Sequence, residues 1–202
     1  HPTLFFTEND LVCYFYAILR PKLGVFNDQD GHKHSLIHTE YPTPFRCNMS
    51  NNKFELKKDN TRTEKGRKYR RGHYDIVVLN PDFIKQYSYV AIKAQDYKLY
   101  KLKVLSVNNI DGPPILYGVE FMFSRDPLKF SRGNDKEKGI DKFVKKVIQD
   151  ADKLLASKEI EGFKFMAQIK MLIFIKGSSK EIRSLLRDKL SDRDEIILCF
   201  GD

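Results

Sequence analysis

Two carboxylates stand alone inside strongly apolar segments of the sequence. Asp75 interrupts residues 74–79 and Glu120 interrupts residues 115–123, and both segments have the composition of buried strands. A buried charge is costly unless it is paired, hydrogen bonded or bound to a metal. If the two strands are neighbours, both carboxylates can hold a hard divalent cation such as Mg²⁺, which polarises a phosphodiester and activates a bound water. The alternative is that each acid lies at a strand end or pairs with an arginine.

The elements that must position these acids alternate between helix and strand. Thr7 can cap a first helix, Pro21 is expected to end it, and a capping box at residues 178–181 opens a later one. The expected helices are 7–20, 140–155 and 178–190, and the expected strands are 35–41, 74–79, 115–123, 165–175 and 195–200. The order α-β-β-β-α-β-α-β predicts one α/β domain over residues 1–202, with a mixed central sheet flanked by helices.

Basic residues are concentrated in one part of the chain. The sequence has 36 Lys and Arg against 27 Asp and Glu, and its net charge is +9. Between Lys53 and Lys103, fourteen basic residues exceed six acidic ones by eight. Such a stretch is typical of a polyanion binder, although a solvated loop that only maintains solubility is the alternative. The residues expected to contact nucleic acid are Lys65, Arg67, Lys68, Arg70 and Arg71.

The most basic part of this stretch has little apolar content. Residues 48–71 are almost free of branched apolar side chains, so we expect a mobile excursion from the domain there. Regular structure is expected to return at Gly72, just before the strand that carries Asp75.

Composition argues against several classes of protein. No apolar run approaches the roughly 20 residues that cross a bilayer, and the first residues predict no signal peptide. The three cysteines form no CxxC pair, which disfavours a disulfide framework or a structural zinc site. His32, His34 and His38 are expected to be surface histidines. We expect a soluble, cytoplasmic protein with no membrane partner, and a homodimer is left open.

The order and context of the acids resemble the PD-(D/E)XK nuclease superfamily, also called restriction-endonuclease-like. The resemblance rests on a first helix with Glu8, on Asp75 after Arg71-Gly72-His73-Tyr74, and on Val119-Glu120-Phe121-Met122 before a long helix. It covers residues 7–175. It implies a restriction-endonuclease-like core and Mg²⁺-dependent cleavage of nucleic acid, with DNA favoured over RNA.

The resemblance also implies catalytic roles for individual residues. Asp75 matches the motif aspartate and Glu120 the acid of the acid-x-Lys pair, and together they would bind Mg²⁺. Glu8 matches the first-helix acid, although a surface acid stabilised by the helix dipole is an equal alternative. Glu40 is a second candidate for that role, since it shares a strand face with His38 and either reaches the site or pairs with that histidine.

The chain departs from the family pattern at Met122. The family lysine follows its acid by two residues and so shares its strand face, but here a thioether without charge takes that place. Lys170 is the best substitute on strand alternation, although a lysine extending from a sheet edge explains it equally. Lys146 and Lys153 are expected on the solvent side of the long helix.

Three functions therefore remain open from the sequence. The first is a Mg²⁺-dependent nuclease-like enzyme that uses Asp75 and Glu120. The second is a degenerate member of the same fold that binds nucleic acid or a partner protein without cleavage, because Met122 has replaced the lysine. The third is a structural domain of a larger assembly whose basic region contacts an acidic protein.

Overall fold

The fold is known from a computed structural model. It describes residues 5–48, 53–55, 62–63, 66–67, 69–86, 112–124, 136–160, 163–176 and 178–201. All structural statements below concern these residues.

The first helix, α1 (Glu8–Leu23), begins with a capping box and passes through a proline. The Thr7 hydroxyl accepts from the amide of Asp10, and the Asp10 carboxylate accepts from the amide of Thr7. The prediction that Pro21 ends the helix is wrong, because α1 continues for two residues beyond it, although Pro21 has no N–H to donate to the carbonyl of Ala17. Gly24, with φ of 75°, ends the helix instead.

The described residues form three further helices, α2 (Pro81–Gln86), α3 (Lys136–Ala156) and α4 (Lys180–Lys189). The helices α3 and α4 lie where the amphipathic patterns predict helices, so these two predictions are confirmed. Ser179 caps α4, because its hydroxyl accepts from the amide of Ile182. The side chain of Asn80 accepts from the amide of Asp82, so the polar segment after the Asp75 strand opens a short helix rather than a plain turn. None of the described helices combines the length and the apolar character needed to cross a lipid bilayer.

The strands form one large sheet and three small hairpins. The large sheet contains β3 (Ile37–Asn48), β4 (Lys53–Glu55), β7 (Tyr69–Leu79), β8 (Ile115–Ser124), β11 (Met166–Ile175) and β12 (Ile196–Phe200). The hairpins are β1 (Val25–Asn27) with β2 (Lys33–Ser35), β5 (Arg62–Thr63) with β6 (Gly66–Arg67), and β9 (Glu159–Ile160) with β10 (Phe163–Lys164).

The large sheet has the order β12-β11-β8-β7-β3-β4. The strands β8, β11 and β12 are parallel, whereas β7 is antiparallel to both of its neighbours, β8 and β3. The expected mixed α/β architecture is confirmed at this level. The boundary between the parallel and antiparallel halves runs along β8, the strand that carries Glu120.

Helices cover the two faces of the sheet unequally. On one face α1 packs on a cluster that includes Leu11, Val12, Ile37, Ile76, Phe121 and Phe174. On the other face α3 and α4 pack on a cluster that includes Ile140, Val147, Met171, Ile173, Ile182 and Leu186. Because strand side chains alternate, Asp75 and Glu120, which neighbour Ile76 and Phe121, face the α3 and α4 side.

Within residues 48–71, where the sequence predicts a mobile excursion, the structure describes the short strands Lys53–Glu55, Arg62–Thr63 and Gly66–Arg67, and the residues that separate these strands lie outside the described part of the chain. The strand β3 continues to Asn48, and β7 begins at Tyr69 rather than after Gly72. The two strands pair on both sides of an irregularity between Pro42 and Arg46, and beyond it Arg46 lies opposite Arg71 and Cys47 opposite Arg70. Backbone pairing with β3 therefore supplies the regular structure that the composition does not predict.

Candidate carboxylate site

Asp75 and Glu120 lie opposite each other on neighbouring strands. The register pairs Ile76 with Val119, and one residue further along it Asp75 opposes Glu120. The carboxyl groups of these two residues are hydrogen bonded to each other. The structure thus brings together the two acids that the sequence singled out.

A backbone amide fixes the Asp75 carboxylate. The amide of Phe121 donates to Asp75 Oδ2 at 2.7 Å. Beyond the pair of Ile76 with Val119, the described residues of β8 pair only with β11, as far as Ser124. The described residues of β7 pair there only with β3. The carboxylate therefore takes the place of a backbone acceptor where β7 and β8 stop pairing, and the site lies in the opening between them.

Glu40 approaches Asp75 from the other side. The pairs Thr39 with Ile76 and Tyr41 with Tyr74 leave Glu40 opposite Asp75. Its φ is 49°, which makes it the one non-glycine residue with a left-handed backbone among those described. Such a conformation is costly for an L-amino acid and often marks a functional site.

Glu8 completes the group from the start of α1. Its Oε2 atom accepts from the amide of Phe123 at 3.3 Å. Its carboxylate also interacts electrostatically with Asp75 and with Glu40. The four carboxylates of Glu8, Glu40, Asp75 and Glu120 come from α1, β3, β7 and β8, and we call them the carboxylate cluster.

Crowding shifts the protonation of this cluster. Burial raises the pKa of Glu120 well above its ordinary range, and the charge of Asp75 raises it further. Burial also raises the pKa of Asp75, although the amide of Phe121 opposes the shift. The pKa of Glu8 is raised by partial burial and by Asp75. The raised pKa values of Asp75 and Glu120 favour protonation of the pair, and a bound cation would oppose that protonation.

The position of the family lysine is apolar in this fold. Met122 packs against the buried cluster under α3 and α4. Lys170, the predicted substitute, is not brought to the cluster, because its ammonium group donates to the carbonyl oxygen of Asp194 at 2.7 Å in an exposed contact. The sheet-edge alternative does not apply, because β11 lies between β12 and β8.

A different lysine acts on the cluster. Lys146 is exposed on α3, as the helical pattern predicts, yet its charge lowers the pKa of Glu8. Lys153, two turns further along the same side of α3, pairs instead with Asp150 at 3.4 Å. Helical periodicity assigns Lys146 to the solvent side of α3. The same pattern contains no information on how close this side of α3 lies to Glu8 at the start of α1.

A second group of possible ligands lies at the β1–β2 hairpin, and sequence reasoning missed it. The ligand atoms of Asp28, Asp30 and His32 lie within 4.8 Å of one another and could hold a metal ion. Among the described residues no other trio of His, Cys, Asp or Glu is as close, so the carboxylate cluster is more widely spaced. The expectation that His34 is a surface residue is wrong, since it is buried.

Asp28 also has a structural role in this hairpin. Its Oδ1 atom accepts from the amides of Asp30 and His32 at 3.0 and 2.8 Å, and its Oδ2 atom lies 3.1 Å from His34 Nε2. Burial raises the pKa of Asp28, but the contacts with His34 and the two amides outweigh it and leave the pKa below its ordinary value. The contacts account for the burial of both Asp28 and His34 without a metal.

The predicted nucleic-acid contacts are described only in part. Arg67 lies in β6, and Arg70 and Arg71 lie in β7. Lys65 and Lys68 lie outside the described residues. Arg71 precedes Asp75 by four residues on the same strand, which corresponds to about 13 Å at the rise of a β-strand. The basic stretch therefore leads directly into the carboxylate cluster.

Comparison with known proteins returns no match to this chain among family models, curated proteins or solved structures.

Proposed function

We propose that this chain is a Mg²⁺-dependent, nuclease-like protein that acts on the phosphodiester bonds of nucleic acid. The observation that carries the proposal is the contact between the carboxyl groups of Asp75 and Glu120 where β7 and β8 stop pairing. Two carboxylates that must share a proton in the absence of a cation are a suitable donor set for a hard divalent ion.

The residues of the cluster have distinct roles in this proposal. Asp75 and Glu120 hold Mg²⁺, and the amide of Phe121 keeps the Asp75 carboxylate oriented. When bound, the ion polarises the phosphate and lowers the pKa of a coordinated water. Glu8 or Glu40 accepts a proton from the attacking water, a role that suits a carboxylate whose pKa is raised, as that of Glu8 is.

Lys146 supplies the positive charge that Met122 lacks. Its interaction with Glu8 places an ammonium group in the electrostatic field of the cluster. Such a charge stabilises the negative phosphate as bonds form and break. The net charge of +9 and the basic strand β7 attract the polyanion, with DNA favoured over RNA as the substrate.

A second candidate function is nucleic-acid or protein binding without cleavage. The observation that favours it is that Met122 packs against the apolar cluster under α3 and α4. The side chain at this position therefore contributes to packing and not to catalysis. If this is the function, Asp75 and Glu120 bind a cation or stay protonated, and no bond is broken.

A cleavage assay with end-labelled single-stranded and duplex DNA and RNA, with and without Mg²⁺, tests the first proposal. Asp75→Asn and Glu120→Gln are each expected to lower the cleavage rate at least about 100-fold. Removal of a group that only hydrogen bonds to a metal ligand already lowers metal affinity or activity about 10- to 100-fold, and these two variants change the ligands themselves. Glu159→Gln, at an exposed acid outside the cluster, should cleave like the wild type. Equal cleavage by the wild type and both cluster variants would exclude the metal-site assignment.

The lysine assignment has a matched control one residue away. Lys146→Met is expected to lower the rate about 100-fold, because it removes charge stabilisation near the reacting phosphate. Lys145→Met, at an exposed neighbour, should have no effect. Nucleic-acid binding without cleavage in the wild type, with cleavage gained by Met122→Lys, would favour the second candidate.

A further inference from the structure

The solvent side of α3 carries a row of lysines. Lys138, Lys142 and Lys146 follow one another at intervals of four residues, and all three are exposed. With about 3.6 residues per turn, they lie within an arc of about 80° on the side of the helix opposite its buried face. We call these three residues the lysine row.

The acids of α3 do not neutralise this row. Those at its margins each pair with a basic residue outside it: Asp141 with Lys189, Asp150 with Lys153, and Asp152 with Arg193, at 2.8, 3.4 and 2.6 Å. Within the described part of the chain, neither Lys142 nor Lys146 forms an ion pair. The charge of these two lysines is therefore available to a partner from outside the fold.

The arrangement is unfavourable for the helix itself. Like charges four residues apart repel each other on a helix surface, which applies to Lys138 with Lys142 and to Lys142 with Lys146. Lys138 also lies in the first turn of α3, where the helix dipole disfavours a positive charge. Helix stability therefore does not explain the row, whereas a bound polyanion would relieve both effects.

The row adjoins the carboxylate cluster at one end. Lys146 is the member whose charge acts on Glu8, and Lys138 lies about 12 Å from it along the helix axis. The helix α3 also contacts β4, where the basic stretch of the sequence begins at Lys53. The row thus lies beside both the carboxylate cluster and the start of the basic stretch.

The charge pattern of the row is complementary to a nucleic-acid backbone. The phosphates of one DNA strand follow each other at about 3.4 Å along the duplex axis, so the row spans about three or four of them. Lysine binds phosphate as a point charge and requires no fixed geometry, which suits an exposed helix face. A straight row of positive charges matches a straight array of phosphates better than it matches the irregular charges of an acidic protein surface.

We infer that the lysine row of α3 binds the phosphate backbone of a DNA strand beside the carboxylate cluster. The inference rests on the proposed function, because that function supplies nucleic acid as the partner. It adds a contact surface on α3 to the contacts that the sequence predicts at residues 65–71.

The salt dependence of binding tests the inference without requiring cleavage. A short fluorescein-labelled DNA duplex is titrated with the protein in EDTA at several salt concentrations, and anisotropy gives the binding constant K. Each lysine–phosphate contact releases a counterion, so Lys138→Gln and Lys142→Gln should each reduce the slope of log K against log salt by about 0.9. Lys145→Gln, at an exposed lysine about 100° around the helix from Lys146, is the matched control and should keep the wild-type slope. Circular dichroism confirms that each variant is folded.

The outcomes separate this inference from the proposed function. A wild-type slope in both row variants, or an equal change in Lys145→Gln, would overturn the inference. Tighter binding of polyglutamate than of the duplex at the same salt would also overturn it and would indicate an acidic protein partner. A reduced slope in the row variants, with no cleavage by the wild type in Mg²⁺, would support the row and overturn only the proposed cleavage.

Discussion

Replacement of Glu120 by glutamine should stabilise the folded protein, although it removes a proposed metal ligand. Burial and the charge of Asp75 raise the pKa of Glu120 in the folded state. A glutamine amide at this position can still donate to the Asp75 carboxylate, as the protonated acid does, but it carries no charge at any pH. The variant therefore keeps the contact and removes the electrostatic cost.

The size of the effect follows from linkage between protonation and folding. Above the ordinary Glu pKa of 4.5 the unfolded chain has lost the proton that folded Glu120 still holds. In the window from 4.5 up to the raised folded pKa, the free energy of unfolding falls by up to about 1.4 kcal/mol per pH unit. At pH 7 the penalty therefore has an upper limit of roughly 3 kcal/mol, and we expect Glu120→Gln to recover part of it, on the order of 1 kcal/mol.

Urea denaturation at several pH values from 4 to 8, without divalent cations, measures this difference. Wild type and Glu120→Gln should have similar stability at pH 4 and diverge as the pH rises, with the variant more stable. Glu159→Gln controls for the loss of one negative charge elsewhere on the protein and should follow the wild type. A variant that is less stable than the wild type at pH 7.5, or that keeps the wild-type slope, would refute this account of the cluster.

Two further predictions concern the same cluster. If Asp75 and Glu120 bind Mg²⁺ as proposed, the ion competes with a proton for the pair. Its apparent affinity should then rise with pH, and calorimetry in buffers of different ionisation enthalpy should detect the released proton; pH-independent binding would contradict this. Glu40 has a φ of 49°, so Glu40→Gly should be about 1 kcal/mol more stable than Glu40→Ala, although both lack the carboxylate. Thermal denaturation compares these two variants, and equal stability would mean that the left-handed backbone imposes no cost.

Much of the fold could be predicted because periodicity is a local property. The apolar pattern of α3 and the capping sequence before α4 predicted two helices, and the long apolar runs predicted β8 and β11. The extent of β7 could not be predicted this way. Its basic first half is ordered by pairing with β3, and composition does not encode the pairing partner.

The candidate site was likewise predictable only where it depends on local sequence pattern. Asp75 and Glu120 were found as isolated charges in apolar strands, but that they oppose each other follows from the register of β7 with β8. The proximity of Lys146 to Glu8 depends on how α3 packs relative to α1, which a helical pattern does not contain. The burial of Asp28 with His34 likewise arises from the geometry of the hairpin turn rather than from either residue type.

The separation of the cluster along the chain has a kinetic consequence. More than half of the sequence lies between Glu8 and Glu120, and these two acids meet only after β8 has joined β7 and α1 has docked. We therefore expect the repulsion that involves Glu8 and Glu120 to develop only when these long-range contacts form, whereas Glu40 already opposes Asp75 once β3 and β7 have paired. The cluster should limit the lifetime of the native state more than the speed at which it forms, so that a bound cation would act mainly by slowing unfolding.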